Sequence, residues 1–198
     1  MTLQIRIDVT CEERVCQGDI LGDVEHIEAV DHTGEFVEVT KTLFPRIIVL
    51  TQDCDLEQDF RFRRSDPPKP TQDKFLVSVL VAPLYTAEHV FAGEHLSLLN
   101  LTMSPIPKTA TPGKTLMQNE TPRYYYLPFT EASRLPPLII DFKHYFSVNV
   151  EYLNALKRKT FICKVSELFR ESISLRFANY LSRIGLPETP LVEKAKAK

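Results

Sequence analysis

The sequence predicts a mainly β, α+β fold: a partly open β-barrel of six to eight strands closed by a C-terminal amphipathic helix. Three observations carry this. Short alternating or continuous apolar runs recur along most of the chain, punctuated by Gly and Pro. One helical stripe stands out and comes last, with Phe169, Ile173, Phe177, Tyr180 and Ile184 spaced 4, 4, 3 and 4 residues apart. The 198 residues, 43% hydrophobic and 25% charged, suit one domain with a sizeable core, expected over 1–187 and followed by a frayed tail at 188–198.

Leu3, Ile5, Ile7 and Val9 alternate with polar residues as a half-buried strand does, and Gly18 opens a second apolar stretch over 20–30. His32-Thr33-Gly34 reads as a turn into a strand at 36–40. After Pro45, Ile47-Ile48-Val49-Leu50 is a buried strand. Residues 57–74 lack periodicity and read as a mobile loop, before strand character resumes over 75–82. Thr86 is placed to cap a short helix within 86–99, which Gly93 weakens. Pro105, Pro107, Pro112 and Gly113 make 102–121 a second long loop. Further strands are expected at 123–129, 138–142, 145–150 and 159–165. Ser166 and Glu167 then start the final helix, over 166–184, and Gly185 and Pro187 stop it.

Several function classes fall away on composition. No run approaches the roughly 18 apolar residues of a membrane span, and residues 1–10 lack the apolar centre of a secretory signal, so a cytoplasmic protein without a membrane partner is expected. Cys11, Cys16, Cys54 and Cys163 match neither zinc-ligand spacing nor a disulfide framework, and no metal or other cofactor is expected. Charge is two-ended. Residues 1–59 hold four basic against fourteen acidic side chains, whereas 60–198 hold twenty against twelve. This gives either mixed charge within one barrel or a basic face for an acidic partner.

The most unusual local feature is Thr51-Gln52-Asp53-Cys54-Asp55, at the exit of the buried strand 47–50. A strand fixes the position of polar side chains that follow it, which suits a site. Alternation would turn Asp53 and Asp55 one way, toward a partner or a hard cation, and Cys54 into the core. Cys54 as a nucleophile, with His144 or His95 as base, is a second reading, and a capped turn a third. Arg61, Arg63 and Arg64 add positive charge to the neighbouring loop. Arg123 precedes three tyrosines, of which Tyr125 faces away from Tyr124 and Tyr126; exposed beside Arg123, its ring would stack a base of single-stranded nucleic acid.

Gln17-Gly18-Asp19-Ile20, followed by Pro45-Arg46-Ile47-Ile48-Val49-Leu50-Thr51, resembles the PemK/MazF toxin family over residues 16–51. The resemblance implies a compact β-barrel with a C-terminal helix, a homodimer, a bacterial toxin–antitoxin or phage-defence setting, and metal-independent cleavage of single-stranded RNA. The family's catalytic arginine would fall on Arg46, stabilising charge on phosphorus. Here the order is Pro-Arg rather than Arg-Pro, and no Ser or Thr stands in register at 81–83. The expected function is therefore a non-catalytic binding module for nucleic acid or a protein partner, with the Arg46 ribonuclease as the alternative. Candidate binding residues are Gln52, Asp53, Cys54, Asp55, Arg61, Arg63, Arg64, Arg123 and Tyr125.

Overall fold

The computed structural model describes residues 5–183 except Glu35, Glu131 and Ala132. It is an α+β fold in which eight antiparallel strands curl into a half-barrel, with one of five helices in the C-terminal region. The strands are β1 (Ile7–Asp8), β2 (Asp19–Thr33), β3 (Phe36–Val49), β4 (Ser78–Thr86), β5 (Tyr124–Leu127), β6 (Leu138–Asp141), β7 (Phe146–Asn149) and β8 (Phe161–Val165). The helices are α1 (Asp53–Arg63), α2 (Ala87–Ala92), α3 (Thr111–Met117), α4 (Val150–Thr160) and α5 (Glu167–Leu181). The sheet order is β1-β8-β2-β3-β4-β6-β5, with β7 also on β4. β4 changes partners along its length: Ser78 to Val81 pair with β7, and Leu84 to Thr86 with β6.

The continuous apolar runs follow from a sheet covered on both faces. Ile20 and Ile48 face one core, with Leu84, Leu127, Phe142 and the α5 residues Ile173 and Phe177. Leu21 and Ile47 face the other, with Val79, Leu56 of α1 and Val150 and Leu153 of α4. A third cluster seats α2 and α3 on Tyr124 and Ile139. The α5 stripe docks on its own sheet as its spacing predicts: Ile173 and Phe177 are buried and Phe169 and Tyr180 pack beside them. Ile184 and the tail at 188–198 lie outside the described residues.

Three expectations need correction. The loop expected over 57–74 is helical as far as Arg63, because buried Leu56 and the buried carboxylate of Asp59 anchor α1 in place of an apolar stripe. The loop expected over 102–121 contains α3, with Pro112 in its first turn, where a missing N–H costs nothing. The helix expected within 86–99 stops at Ala92. Thr86 does cap it, but Gly93 is its left-handed C-cap (φ +79°), and a Cβ there would lie 2.2 Å from the Met103 carbonyl oxygen.

β2 and β3 continue past the barrel as a long hairpin arm. Asp23, at φ +50°, interrupts the pairing between Gly22–Arg46 and Val24–Phe44. Side-chain parity inverts there. Leu21 and Ile47 enter the second core before the break, and Val24 and Phe44 enter it after. Phe44 stacks on Phe146 at 4.8 Å between centroids and His26 meets the same ring at 4.7 Å, which fixes the base of the arm. Gly34 (φ +66°) turns the tip between His32 and Phe36, where the turn was expected.

A fully buried ion pair joins the start of β2 to α4. Lys157 Nζ lies 2.7 Å from Asp19 Oδ2 and donates to the Arg14 carbonyl at 2.6 Å, while Asp19 Oδ2 also accepts from the Cys16 amide at 2.7 Å. Lys157→Met is therefore expected to cost about 3–5 kcal/mol in urea unfolding, by stranding the Asp19 charge. The Asp19→Asn, Lys157→Met double variant is expected to be more stable than the single one.

Candidate functional site

The segment after β3 is helical from Asp53 onward, so successive side chains diverge by about 100° rather than alternate. Asp53 turns inward and Cys54 and Asp55 are exposed, which overturns the expectation of a buried Cys54 between two outward carboxylates. Asp53 takes a two-point hydrogen bond from Arg14, Nη1 to Oδ1 at 3.0 Å and Nη2 to Oδ2 at 2.9 Å, and another from the Gln17 amide at 3.0 Å. Burial raises the Asp53 pKa, but these donors outweigh it and hold the carboxyl below its usual range. Asp53 is thus occupied in fixing the 14–17 loop. Exposed Gln52 and Asp55 border an open groove of about 280 Å³ walled by Leu80, Phe177 and Leu181.

The arginines of α1 are also engaged. Arg63 is held by Asp59 (Nε to Oδ1, 2.8 Å), Glu151 (2.9 Å) and the Leu76 carbonyl (2.6 Å). Arg64 pairs with Glu13 and lies 3.9 Å over the Phe60 ring, and Arg61 lies 3.5 Å from Glu57. Each has a carboxylate partner, so they form no free basic cluster. Arg46 is half-buried in β3 opposite Gly22 and has no side-chain hydrogen bond or ion pair among the described residues.

The polar centre of the molecule lies elsewhere. Asp141, the last residue of β6, has no exposed surface and caps the 3₁₀ turn Phe142–His144 by accepting from the Lys143 amide at 3.0 Å. Arg123 Nε meets its Oδ1 at 2.8 Å and Nη2 its Oδ2 at 2.6 Å. His144 Nδ1 lies 2.9 Å from Oδ2 and His95 Nε2 3.7 Å from it. Burial alone would raise the Asp141 pKa, yet Arg123, His144 and His95 together drive it far below the carboxylate range, so it is ionised. An ionised carboxylate only accepts, which places the proton on His144 Nδ1 and leaves Nε2 an acceptor with no partner among the described residues. Arg123 Nη1 likewise has no partner among the described residues. His95 is buried between Tyr85 and Tyr124, and among the described residues neither its ring nitrogens nor the Tyr85 hydroxyl has a partner within hydrogen-bond distance. His95 and His144, weighed above as bases for Cys54, converge on Asp141.

Arg123 thus belongs to this polar centre and Tyr125 does not. Tyr125 does face away from Tyr124, but α5 covers that side: the ring is 3% exposed and its hydroxyl meets Ser172 Oγ at 2.9 Å. The aromatic groups near Arg123 at the surface are exposed Tyr145 and half-buried Tyr180. Tyr145 is 41% exposed and packs edge-on against Phe177, and Tyr180 lies beside Phe142 with the Arg183 guanidinium 3.8 Å over its ring. Exposed Lys143 completes the face. The sequence signal for this centre was Asp141-x-x-His144 at the exit of a strand, a spacing that one 3₁₀ turn brings together.

Comparison with protein-family models, curated proteins and solved structures finds no match. No helix among the described residues is long and apolar enough to cross a membrane. No three His, Cys, Asp or Glu side chains among them converge so as to hold a metal ion.

Asp141→Asn is expected to destabilise the protein by about 3 kcal/mol at neutral pH. Because folding lowers this pKa from 3.8, the wild-type contribution is complete above about pH 4 and falls away below it. Urea unfolding at pH 3 and pH 7 is expected to show a smaller pH difference in the variant. Thiol titration of the native protein is expected to find two fast groups, exposed Cys11 and Cys54, and two slow ones, since burial pushes Cys16 and Cys163 up to about 12.

Proposed function

We propose that the protein is a non-catalytic module that binds single-stranded nucleic acid on the face formed by Arg123, Lys143, His144, Tyr145, Tyr180 and Arg183. The observation that carries this is the division of labour around Asp141. The buried carboxylate fixes two side chains while leaving Arg123 Nη1 and His144 Nε2 without partners among the described residues: the Nη1 N–H groups are donors suited to a phosphate oxygen, and Nε2, with the ring proton on Nδ1, accepts from a base N–H. Arg123 balances the Asp141 charge, so Lys143 and Arg183 are a surplus of positive charge on this face. Exposed Tyr145 supplies ring surface for a base, which every base can stack on whatever its sequence, and Arg183 is held beside it on the Tyr180 ring. The excess of basic residues over 60–198 accords with an anionic partner.

The test is fluorescence anisotropy with labelled mixed-sequence single-stranded RNA and DNA in chelator over a salt series. Binding is expected to weaken linearly in log–log form, and Lys143→Ala with Arg183→Ala is expected to reduce the slope by about 1.4, at about 0.7 per single-strand phosphate contact. Tyr145→Ala is expected to weaken binding about tenfold, and Arg61→Ala not at all. Unchanged affinity in the Lys143, Arg183 variant with an unchanged melting temperature would remove this face from the reading. The RNA is expected to stay intact. Cleavage by wild type that disappears in Arg46→Ala would replace the binding module with the metal-independent ribonuclease.

A further inference from the structure

Beyond the Asp23 break, the hairpin arm has a largely apolar face that no described residue covers, bordered at its base by a groove that Glu25 and Ile27 share with Asn149 and Tyr152. Glu25 lies opposite Leu43, Ile27 opposite Lys41, Val30 opposite Val39 and His32 opposite Val37, with a bulge at Glu28 keeping the two strands in phase. Cross-strand partners share a face, so these eight side chains form one surface. Its five aliphatic members are exposed: Ile27 by 60%, Val30 by 51%, Val37 by 57%, Val39 by 47% and Leu43 by 50%. The opposite face carries Glu38, Thr40 and Thr42, with exposed Phe36 at the tip and, at its base, Val24 and Phe44, which enter the core. The arm is therefore amphipathic in the sense of a half-buried sheet while its apolar side faces solvent.

The arrangement of polar residues at the rim identifies what covers it. We infer that the arm is a dimerisation element whose apolar face packs against the same face of a second copy, the two arms running antiparallel. A two-fold axis lying between the layers reverses strand direction and sets like strand over like strand. Ile27 then lies over the partner's Val30, Leu43 over the partner's Val37, and the acidic Glu25 at the base over the partner's His32 at the tip. Lys41 falls over the partner's Val39; its stem covers the valine while its ammonium stays at the edge, where it already meets Glu25 at 2.6 Å. No row sets like charges together. The stripe exposes on the order of 400 Å² per arm. Two stripes then bury about 800 Å², less than a permanent interface, so association is concentration-dependent.

Sedimentation velocity of the full chain from about 1 to 100 µM tests this. The expected result is a shift from monomer to dimer across that range, abolished by Val30→Asp with Val39→Asp while circular dichroism and the melting transition are retained. A second variant fixes the geometry. Glu25→Cys with His32→Cys, in a chain carrying Cys11→Ser and Cys54→Ser, is expected to cross-link into a dimer with a short bismaleimide that spans the roughly 10 Å between packed sheets, because positions 25 and 32 lie about 23 Å apart along one strand and cannot be joined by it within a chain. A wild type that stays monomeric throughout overturns the inference. So does a dimer that survives the double aspartate substitution, or one that forms without the 25–32 cross-link.

Discussion

The buried pair of Asp19 and Lys157 sets the position of nearly everything around the barrel's N-terminal opening. Lys157 draws α4 onto the start of β2, and its bond to the Arg14 carbonyl fixes the 14–19 loop. From that loop Arg14 reaches Asp53 and orients the first turn of α1, while Gln17 Nε2 bonds the Leu50 carbonyl at 3.3 Å and Ser174 Oγ on α5 at 2.6 Å. One desolvated charge pair thus registers two strands and three helices against one another. Buried pairs of this kind add little net stability over an apolar substitute but penalise wrong arrangements heavily.

Asp141 plays a comparable part at the far end of the sheet with a different result. Asp19 and Lys157 bind each other within a closed core, whereas Asp141 is buried but its partners Arg123 and His144 are 19% and 23% exposed. The carboxylate therefore orients groups that still have capacity to spare at the surface. A fixed guanidinium and a fixed imidazole lose less conformational freedom on meeting a ligand than mobile ones do, which is what preorganisation contributes to binding.

The strands and the last helix were legible because burial on one or both faces writes a period into the sequence, and α5 shows it most clearly in Phe169, Ile173, Phe177 and Tyr180. α1 was not legible, since its position rests on Asp59 and Asp53 gripping Arg63 and Arg14 rather than on an apolar stripe. α4 has a cap in Asn149 and an apolar row in Val150 and Leu153, yet its 11 residues sit directly between two strands with no loop to announce either end. The polar centre was legible only in part. Arg123 stood out beside the tyrosines, but its value depends on Asp141, His144 and His95, which lie on separate segments and meet only through tertiary folding. Tyr125 failed as a candidate because alternation says which side a ring takes and not whether a helix already lies there.

The parity break at Asp23 also marks where the arm leaves the half-barrel. About ten residues of each strand lie beyond it, a reach of about 30 Å at the rise of an extended chain. Phe44 and His26 on Phe146 anchor its base, so at that length a tilt of about 10° about those contacts corresponds to about 5 Å at the tip. The packing on one ring of β7, Phe146, thus sets where the tip of the arm lies.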